Sequence, residues 1–293
     1  MAELFGAEAP ASWEPTQTTS STSIERIRSS FLGLADQLAG LLQSTAQVAA
    51  IRKELEVAGA VQQMLLPVED TLERRGLRLA ASFLPAAECG GDWWTAHDLP
   101  EGRLLLMIGD VTGHGASSAI VTGVAKGACE VARRLLAEGL QPDAFLSLVN
   151  AAIYEAGKQR YMMSAVAIVF EAGGRKATVS NAGHVFPLLV RNKDVRQIVT
   201  RSSPLGALAV SEFTSIEVDL EPGDTLVLFT DGVTECESPD GDQFSDRRFR
   251  SLCAELSHLQ PPDFRTEILR ALQWFRGERP ALDDITFVVG RIS

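Results

Sequence analysis

The string Gly109-Asp110-Val111-Thr112-Gly113-His114-Gly115 follows the apolar run Leu104 to Ile108 and precedes a long amphipathic segment. It reads as a strand that delivers a carboxylate to a glycine loop, where backbone can approach a ligand because glycine has no Cβ. Acidic strand ends recur at Asp92 after Gly90-Gly91, at Asp231 in Thr230-Asp231-Gly232, and at Asp283-Asp284 before the apolar run Ile285 to Ile292. A lone carboxylate in such a place is usually a turn former or a helix cap. Several of them, each flanked by glycine or by a second acid, suit hard divalent cations, which take oxygen ligands and keep some of their waters. Two such ions about 3.5–4 Å apart lower the pKa of a bridging water and clamp a phosphate in line for attack. The chain has no Gly-x-x-x-x-Gly-Lys-[Ser/Thr] string for a nucleotide-binding loop and no Cys-x5-Arg string for a cysteine phosphatase.

The elements that must position these carboxylates follow from periodicity. Residues 1–22 are rich in Ser, Thr, Pro and Ala without a period, and are expected to form a disordered tail. Over residues 23–66 a helix is expected. Ile24, Ile27, Phe31, Leu34, Leu38 and Leu41 alternate steps of three and four, the seam of a coiled-coil-like helix, before the apolar face rotates onto Ile51, Ala58 and Leu65. Pro67 is expected to stop it.

Beyond it, strands are expected at Leu77 to Leu84, Leu104 to Asp110, Phe186 to Arg191, Thr214 to Leu220, Thr225 to Thr230 and Ile285 to Ile292. Met163 to Phe170 and Lys176 to Ala182 form a hairpin about Ala172-Gly173-Gly174. Helices are expected at Ala116 to Leu136, Pro142 to Tyr154, Arg247 to Leu256 and Asp263 to Phe275. Hairpins and paired helices favour a layered α+β fold over an alternating parallel one.

The 293 residues carry 45% hydrophobic side chains, enough for a sizeable core, and a net charge of -11. That charge argues against nucleic acid as a partner, since phosphate backbones are held by Lys and Arg. Cys89, Cys129, Cys236 and Cys253 show no paired spacing, so reduced thiols in a cytoplasmic protein are expected. No apolar run reaches the roughly 20 residues of a membrane span, and no secretory signal pattern opens the chain.

Six strings in order carry a family resemblance. They are Val61-Gln62-Gln63-Met64-Leu65-Leu66-Pro67, Pro85-Ala86-Ala87-Glu88-Cys89-Gly90-Gly91-Asp92, Gly109 to Gly115, Asn181-Ala182-Gly183-His184, Thr230-Asp231-Gly232-Val233-Thr234-Glu235 and Asp283-Asp284-Ile285-Thr286. Together, from about Glu54 to the C-terminus, they resemble the RsbU/SpoIIE class of bacterial PPM-type (protein phosphatase 2C-like) serine/threonine phosphatases. The resemblance implies a four-layer α-β-β-α sandwich of two antiparallel sheets over residues 67–293. It also implies a site between the sheets with two Mn²⁺ or Mg²⁺ ions, and phosphoserine or phosphothreonine on a STAS-type anti-anti-sigma protein as substrate.

Carried onto this chain, the resemblance makes Asp110 the bridging ligand, with the Val111 carbonyl on one ion and Asp92, Asp231 and Asp283 completing the set. Asp110 and Asp231 are the positions whose loss should abolish hydrolysis. Asp284 and Gly91 would support the ligands from behind, and His184 would fix a turn near the site. His114 is a candidate general acid, although ordering the glycine loop is the plainer role. Trp93 and Trp94 are expected to pack in the core. Two departures stand out: Gln243-Phe244-Ser245 has Ser where the class often carries Gly, and Phe249 stands where Leu is more usual. The alternative function is a catalytically silent module of the same fold that binds a STAS protein or a kinase. The helix would serve a homodimer or an upstream regulator.

Overall fold

The computed structural model describes residues 19–67, 70–74, 76–113, 115–135 and 139–293, and, for side chains of the first helix, residues 28, 29, 33, 37 and 40 onward. The elements in chain order are α1 (Thr19–Gln63), β1 (Thr71–Arg74), β2 (Leu77–Leu84), β3 (Asp92–Asp98), β4 (Leu104–Val111), α2 (Ala116–Leu135), α3 (Pro142–Gly157), β5 (Met163–Phe170) and β6 (Lys176–Ala182). They continue with β7 (Leu188–Arg191), β8 (Asp194–Gln197), β9 (Ser215–Asp219), β10 (Thr225–Phe229), α4 (Asp231–Thr234), α5 (Ser245–Leu256), α6 (Pro261–Arg276) and β11 (Ile285–Ile292). Contacts divide the chain into two units, Met1–Lys53 and Glu54–Ser293.

Among the described residues the second unit contains a six-stranded sheet, ordered β1-β2-β11-β10-β7-β8, and a five-stranded sheet, ordered β3-β4-β5-β6-β9. Every ladder in both is antiparallel. Between the sheets Trp94, Leu106, Ile108, Val166 and Ile168 meet Leu79, Ala81, Leu228 and Val288. Helices α2 and α3 cover the outer face of the five-stranded sheet through Val121, Ala125, Cys129, Phe145 and Val149, packed on Trp93, Leu105 and Met107. Helices α5 and α6 cover the other sheet through Phe249, Cys253, Phe264 and Ile268. The result is a four-layer α-β-β-α sandwich of the α+β class. Strands buried on both faces read as continuous apolar runs, which is why β4 and β5 show no alternation of apolar with polar residues.

Alternation survives in where each side chain points. In β4, Leu104, Leu106 and Ile108 face the second sheet while Leu105, Met107 and Val111 face the helices. Asp110 therefore continues the inter-sheet series and stands at its open end. Asp92 does the same for β3, whose Trp94 faces inward and whose Trp93 faces the helices.

Several expected boundaries shift. Helix α1 begins at Thr19, so residues 19–22 of the expected tail are helical; Ser and Thr suit a first turn, where backbone donors lack helical partners. The rest of that tail, residues 1–18, lies outside the described residues. The helix ends at Gln63 rather than running to Pro67, because Leu65 and Leu66 turn onto the core under α2. Strand β7 starts after Pro187, which has no N–H to give a ladder. Strands β1 and β8 are edge strands of four residues with largely exposed side chains, too short to show a period. Ser245 opens α5 at a φ of 70°, in the left-handed region that favours glycine. Among the described residues no helix is long and apolar enough to cross a membrane. The four cysteines are free and buried.

Candidate active site

The register of the five-stranded sheet sets three polar side chains in one row. Asp92 lies opposite Asp110 across β3 and β4, and Asp110 lies opposite Ser164 across β4 and β5. Directly opposed residues share a face, with Cβ atoms about 4.5–5.5 Å apart. The same three strands place Trp94, Ile108 and Val166 one step further in, so the row closes the mouth of the inter-sheet core.

The other sheet meets this row with the turn after β10. The Thr230 hydroxyl donates to Asp92 Oδ2 at 2.7 Å, and the Thr286 N–H donates to Thr230 Oγ at 3.1 Å. Asp231 opens α4 and, with Asp110, lines a cleft of about 260 Å³ that also includes Thr112, Met162, Ser164 and His184.

Asp284 is buried and faces backbone. Its Oδ1 accepts from Ala86 N–H at 2.8 Å, and its Oδ2 accepts from Gly91 N–H at 2.8 Å and from Asp92 N–H at 3.4 Å. It ties the Gly90-Gly91-Asp92 turn to the start of β11. Asp283 is exposed, and its Oδ1 accepts the Asp284 N–H at 2.8 Å. Glycines are obligatory around this knot. A Cβ at Gly90 would land inside the Asp284 carboxylate, and one at Gly232 inside the Asp284 carbonyl. At Gly91 a Cβ would stand 2.5 Å from the Val111 carbonyl oxygen and 2.7 Å from Asp110 Oδ1. The Val111 carbonyl and the Asp110 carboxylate thus flank the same bare backbone.

A second tie comes from helix α1. Gln62 is buried; its Nε2 donates to the Gly90 carbonyl at 2.8 Å and to the Asp92 carbonyl at 3.4 Å, and its Oε1 accepts from Gly90 N–H at 3.0 Å. Trp93 Nε1 donates to the Leu65 carbonyl at 3.4 Å, and Gly59 lies against the Glu88 carbonyl with no room for a Cβ.

The electrostatics follow from crowding. Burial pushes the Asp110 carboxyl up to about 8, and the charges of Asp231, Asp283 and Asp284 add to the effect. Asp92 is also held well above the usual carboxylate range, first by burial and then by Asp110, against the hydrogen bonds from Thr286 and Thr230. Glu235 is raised by burial and by Asp231 and Asp283. Carboxyls raised by burial and by neighbouring negative charge in this way are the environment a cation relieves. Among the described residues no three acids, histidines or cysteines stand close enough to form a closed ligand set. The fit to a hard cation rests on the all-oxygen donors, the charge coupling and the bare backbone at Gly91.

His184 lies in the wall of the cleft. Its N–H donates to Asn181 Oδ1 at 2.8 Å while Asn181 Nδ2 donates to the His184 carbonyl at 3.0 Å, a closed turn built on Gly183 at a φ of 70°. Its Nδ1 pairs with Ser164 Oγ at 2.7 Å. The candidate acid His114 lies outside the described residues. Trp93 and Trp94 are buried in the two cores on either side of β3.

The family model described as Stage II sporulation protein E (SpoIIE) matches residues 100–293. The chain belongs to the SpoIIE family. A relative named phosphoserine phosphatase RsbU, from Bacillus subtilis strain 168, is 27% identical over 194 residues, covering 65% of this chain and 56% of its own. Protein IcfG of Synechocystis is 25% identical over 269 residues, 82% of this chain and 41% of that protein. The chain thus spans about half the length of these relatives. Among solved structures, the SiaA-PP2C domain of Pseudomonas aeruginosa superposes with a TM-score of 0.75 at 23% identity, covering 85% of this chain and 99% of that one. That likeness establishes the PP2C fold.

Gln62, Thr230 and Ser164 received no role from the sequence. Gln62 and Thr230 stand inside quoted strings, each beside residues that drew attention first. Ser164 carried a readable signal: it is the polar start of Ser164-Ala165-Val166-Ala167-Ile168-Val169-Phe170, in the alternate set that faces the second sheet.

Proposed function

We propose that this protein is a metal-dependent serine/threonine phosphatase that hydrolyses a phosphorylated STAS-type anti-anti-sigma protein within a partner-switching pathway. The observation that carries the reading is the pairing of Asp92 with Asp110, with Asp231 in the same cleft and the charges of Asp231, Asp283 and Asp284 acting on Asp110, in a SpoIIE-family chain. The name of the relative, phosphoserine phosphatase RsbU, supports phosphoserine as the group hydrolysed, by analogy.

Asp110, the Val111 carbonyl, Asp92, Asp231 and Asp283 would hold two Mn²⁺ or Mg²⁺ ions. When bound, such ions supply a water of lowered pKa and neutralise phosphate charge. The chain does the positioning. Thr230 holds one Asp92 oxygen, and Asp284 and Gln62 fix the backbone that carries Asp92. The cleft between Asp110, Asp231, Met162 and His184 would take the phosphoseryl side chain. Residues 67–293 would form the phosphatase domain and 23–66 a regulatory helix that pairs with a second copy or an upstream protein, in the cytoplasm.

The direct test is incubation of the purified chain and Mn²⁺ with a phosphorylated STAS protein from the same genome. Release of phosphate, lost in Asp231→Ala, supports the reading. Binding of the STAS protein without hydrolysis, with phenotype retained in Asp110→Ala and Asp231→Ala, would favour the silent module instead.

A further inference from the structure

Ser164 stands third in the row Asp92, Asp110, Ser164, on the inter-sheet face and in the wall of the cleft. It is the polar side chain that the five-stranded sheet sets directly beside Asp110 on the side away from Asp92. Its orientation is fixed by His184, whose Nδ1 lies 2.7 Å from Ser164 Oγ. His184 is itself immobilised, by the paired hydrogen bonds with Asn181 and by Pro204, which fills the space a Cβ on Gly183 would need.

The direction of the Ser164 hydrogen bond follows from the ring. Burial pushes the His184 imidazole down to about 4, so at neutral pH it holds one proton, and the Phe229 carbonyl favours that proton on the ring. We assign that proton to Nε2, the nitrogen Ser164 does not engage, with the Phe229 carbonyl as the backbone acceptor that favours it. Nδ1 is then an acceptor and the Ser164 hydroxyl donates to it. In that tautomer Ser164, which lines the cleft, has lone pairs left to accept with and no proton left to donate.

We propose that Ser164 is a catalytic residue that accepts a hydrogen bond from the attacking water beside Asp110, with His184 as its positioning residue. A phosphate dianion has only acceptors, so Ser164 cannot serve it as a donor; water is the reactant that brings an O–H. The water oxygen bonds to phosphorus as the bond from phosphorus to the seryl oxygen breaks. The O–H accepted by Ser164 stays on that oxygen and leaves in hydrogen phosphate, and the other water proton goes to the seryl oxygen. Ser164 keeps its own proton throughout, committed to His184. This role rests on the phosphatase reading above.

The test compares wild type, Ser164→Ala, Ser164→Thr, His184→Asn and the double variant Ser164→Ala/His184→Asn, using p-nitrophenyl phosphate at saturating Mn²⁺. Mn²⁺ affinity is measured separately by calorimetry without substrate. Loss of one orienting contact should lower kcat by at least about 20-fold in Ser164→Ala, with KM within about threefold. Ser164→Thr, which keeps the hydroxyl, should recover kcat to within about fivefold of wild type, and Mn²⁺ affinity should stay within about threefold in all variants. Adding His184→Asn to Ser164→Ala should cost less than about twofold more, since His184 acts through Ser164. A Ser164→Ala kcat within about twofold of wild type overturns the proposal, as does a Mn²⁺ affinity lowered tenfold or more, which would place Ser164 with the ligands. A wild-type chain with no Mn²⁺-dependent turnover removes the phosphatase reading and this role with it; an active wild type with an unaffected Ser164→Ala removes this role alone.

Discussion

Gln62 and Gly90 exchange two hydrogen bonds across 28 positions of chain, Nε2 to carbonyl at 2.8 Å and N–H to Oε1 at 3.0 Å. The glutamine thereby satisfies both backbone groups of a residue two positions before Asp92. Truncation to Gln62→Ala leaves a buried donor and acceptor unpaired, at about 1–3 kcal/mol each. Thermal unfolding should report a destabilisation of about 2–6 kcal/mol, with weaker Mn²⁺ binding because Asp92 loses its support. Unchanged stability and unchanged Mn²⁺ affinity in Gln62→Ala would refute this linkage.

Gly232 leaves no room for a side chain beside the Asp284 carbonyl. The obstacle is backbone, so Gly232→Ala must displace either α4, which begins with Asp231, or the turn of Asp283 and Asp284. A loss of at least about 2 kcal/mol of stability is expected, as for overpacking in a rigid interior. Gly113→Ala is the control for the glycine loop, since its Cβ would meet nothing within 4 Å and only the φ of 88° opposes it. The first variant should lose more in chemical denaturation than the second.

In the metal-free protein, Asp110 has its pKa raised to about 8, against about 3.9 for an unfolded aspartate. Between those values the folded chain binds more protons than the unfolded one, so stability falls as pH rises. Asp92 shifts in the same direction. Urea midpoints measured with chelator should therefore decline from pH 5 to pH 8, and excess Mn²⁺ should flatten or reverse the slope. A rising midpoint with chelator would contradict the description of crowded carboxylates.

The architecture was legible where periodicity was strong. Met163 to Phe170 and Lys176 to Ala182 pair about the expected Gly-Gly turn, and the paired helices appear with ends moved by a few residues. Edge strands such as Asp194–Gln197 escaped notice because short, exposed strands need no apolar pattern. At the site, the carboxylates announced themselves through their glycines. What local sequence could not reveal was the knot behind them: Asp284 bonds to Gly91 across 193 positions and Gln62 to Gly90 across 28. Those pairings depend on how sheets and helix meet. Ser164 was legible as the polar head of an apolar strand, but its neighbour Asp110 across the sheet was not.

Ser245 shows a local residue at odds with its backbone, at a φ of 70°. Left-handed geometry costs a non-glycine residue about 1–2 kcal/mol, partly offset by the greater freedom glycine has when unfolded. Ser245→Gly should raise stability by about 0.5 kcal/mol, visible as a small increase in Tm without change in Mn²⁺ affinity. A fall in Tm would mean that the Ser245 side chain contributes more than its backbone strain costs.

Helix α1 exposes apolar side chains at heptad spacing, with Leu41 61% and Val48 65% accessible. If this face pairs with a second copy, light scattering on the full chain should give a dimer, and Val48→Asp a monomer with unchanged circular dichroism below residue-level helix loss. A monomeric wild type would remove the dimer from the account.

The central claim is that Asp110 organises a metal-dependent hydrolytic centre. It is tested most directly by measuring phosphate release from a phosphoserine peptide over a Mn²⁺ titration, in wild type and Asp110→Ala, alongside calorimetric Mn²⁺ binding. The account predicts turnover that saturates with Mn²⁺ in the wild type, and in Asp110→Ala a loss of at least about 100-fold together with weakened binding. Metal-independent turnover, or an Asp110→Ala protein that binds Mn²⁺ and hydrolyses the peptide like wild type, would contradict it.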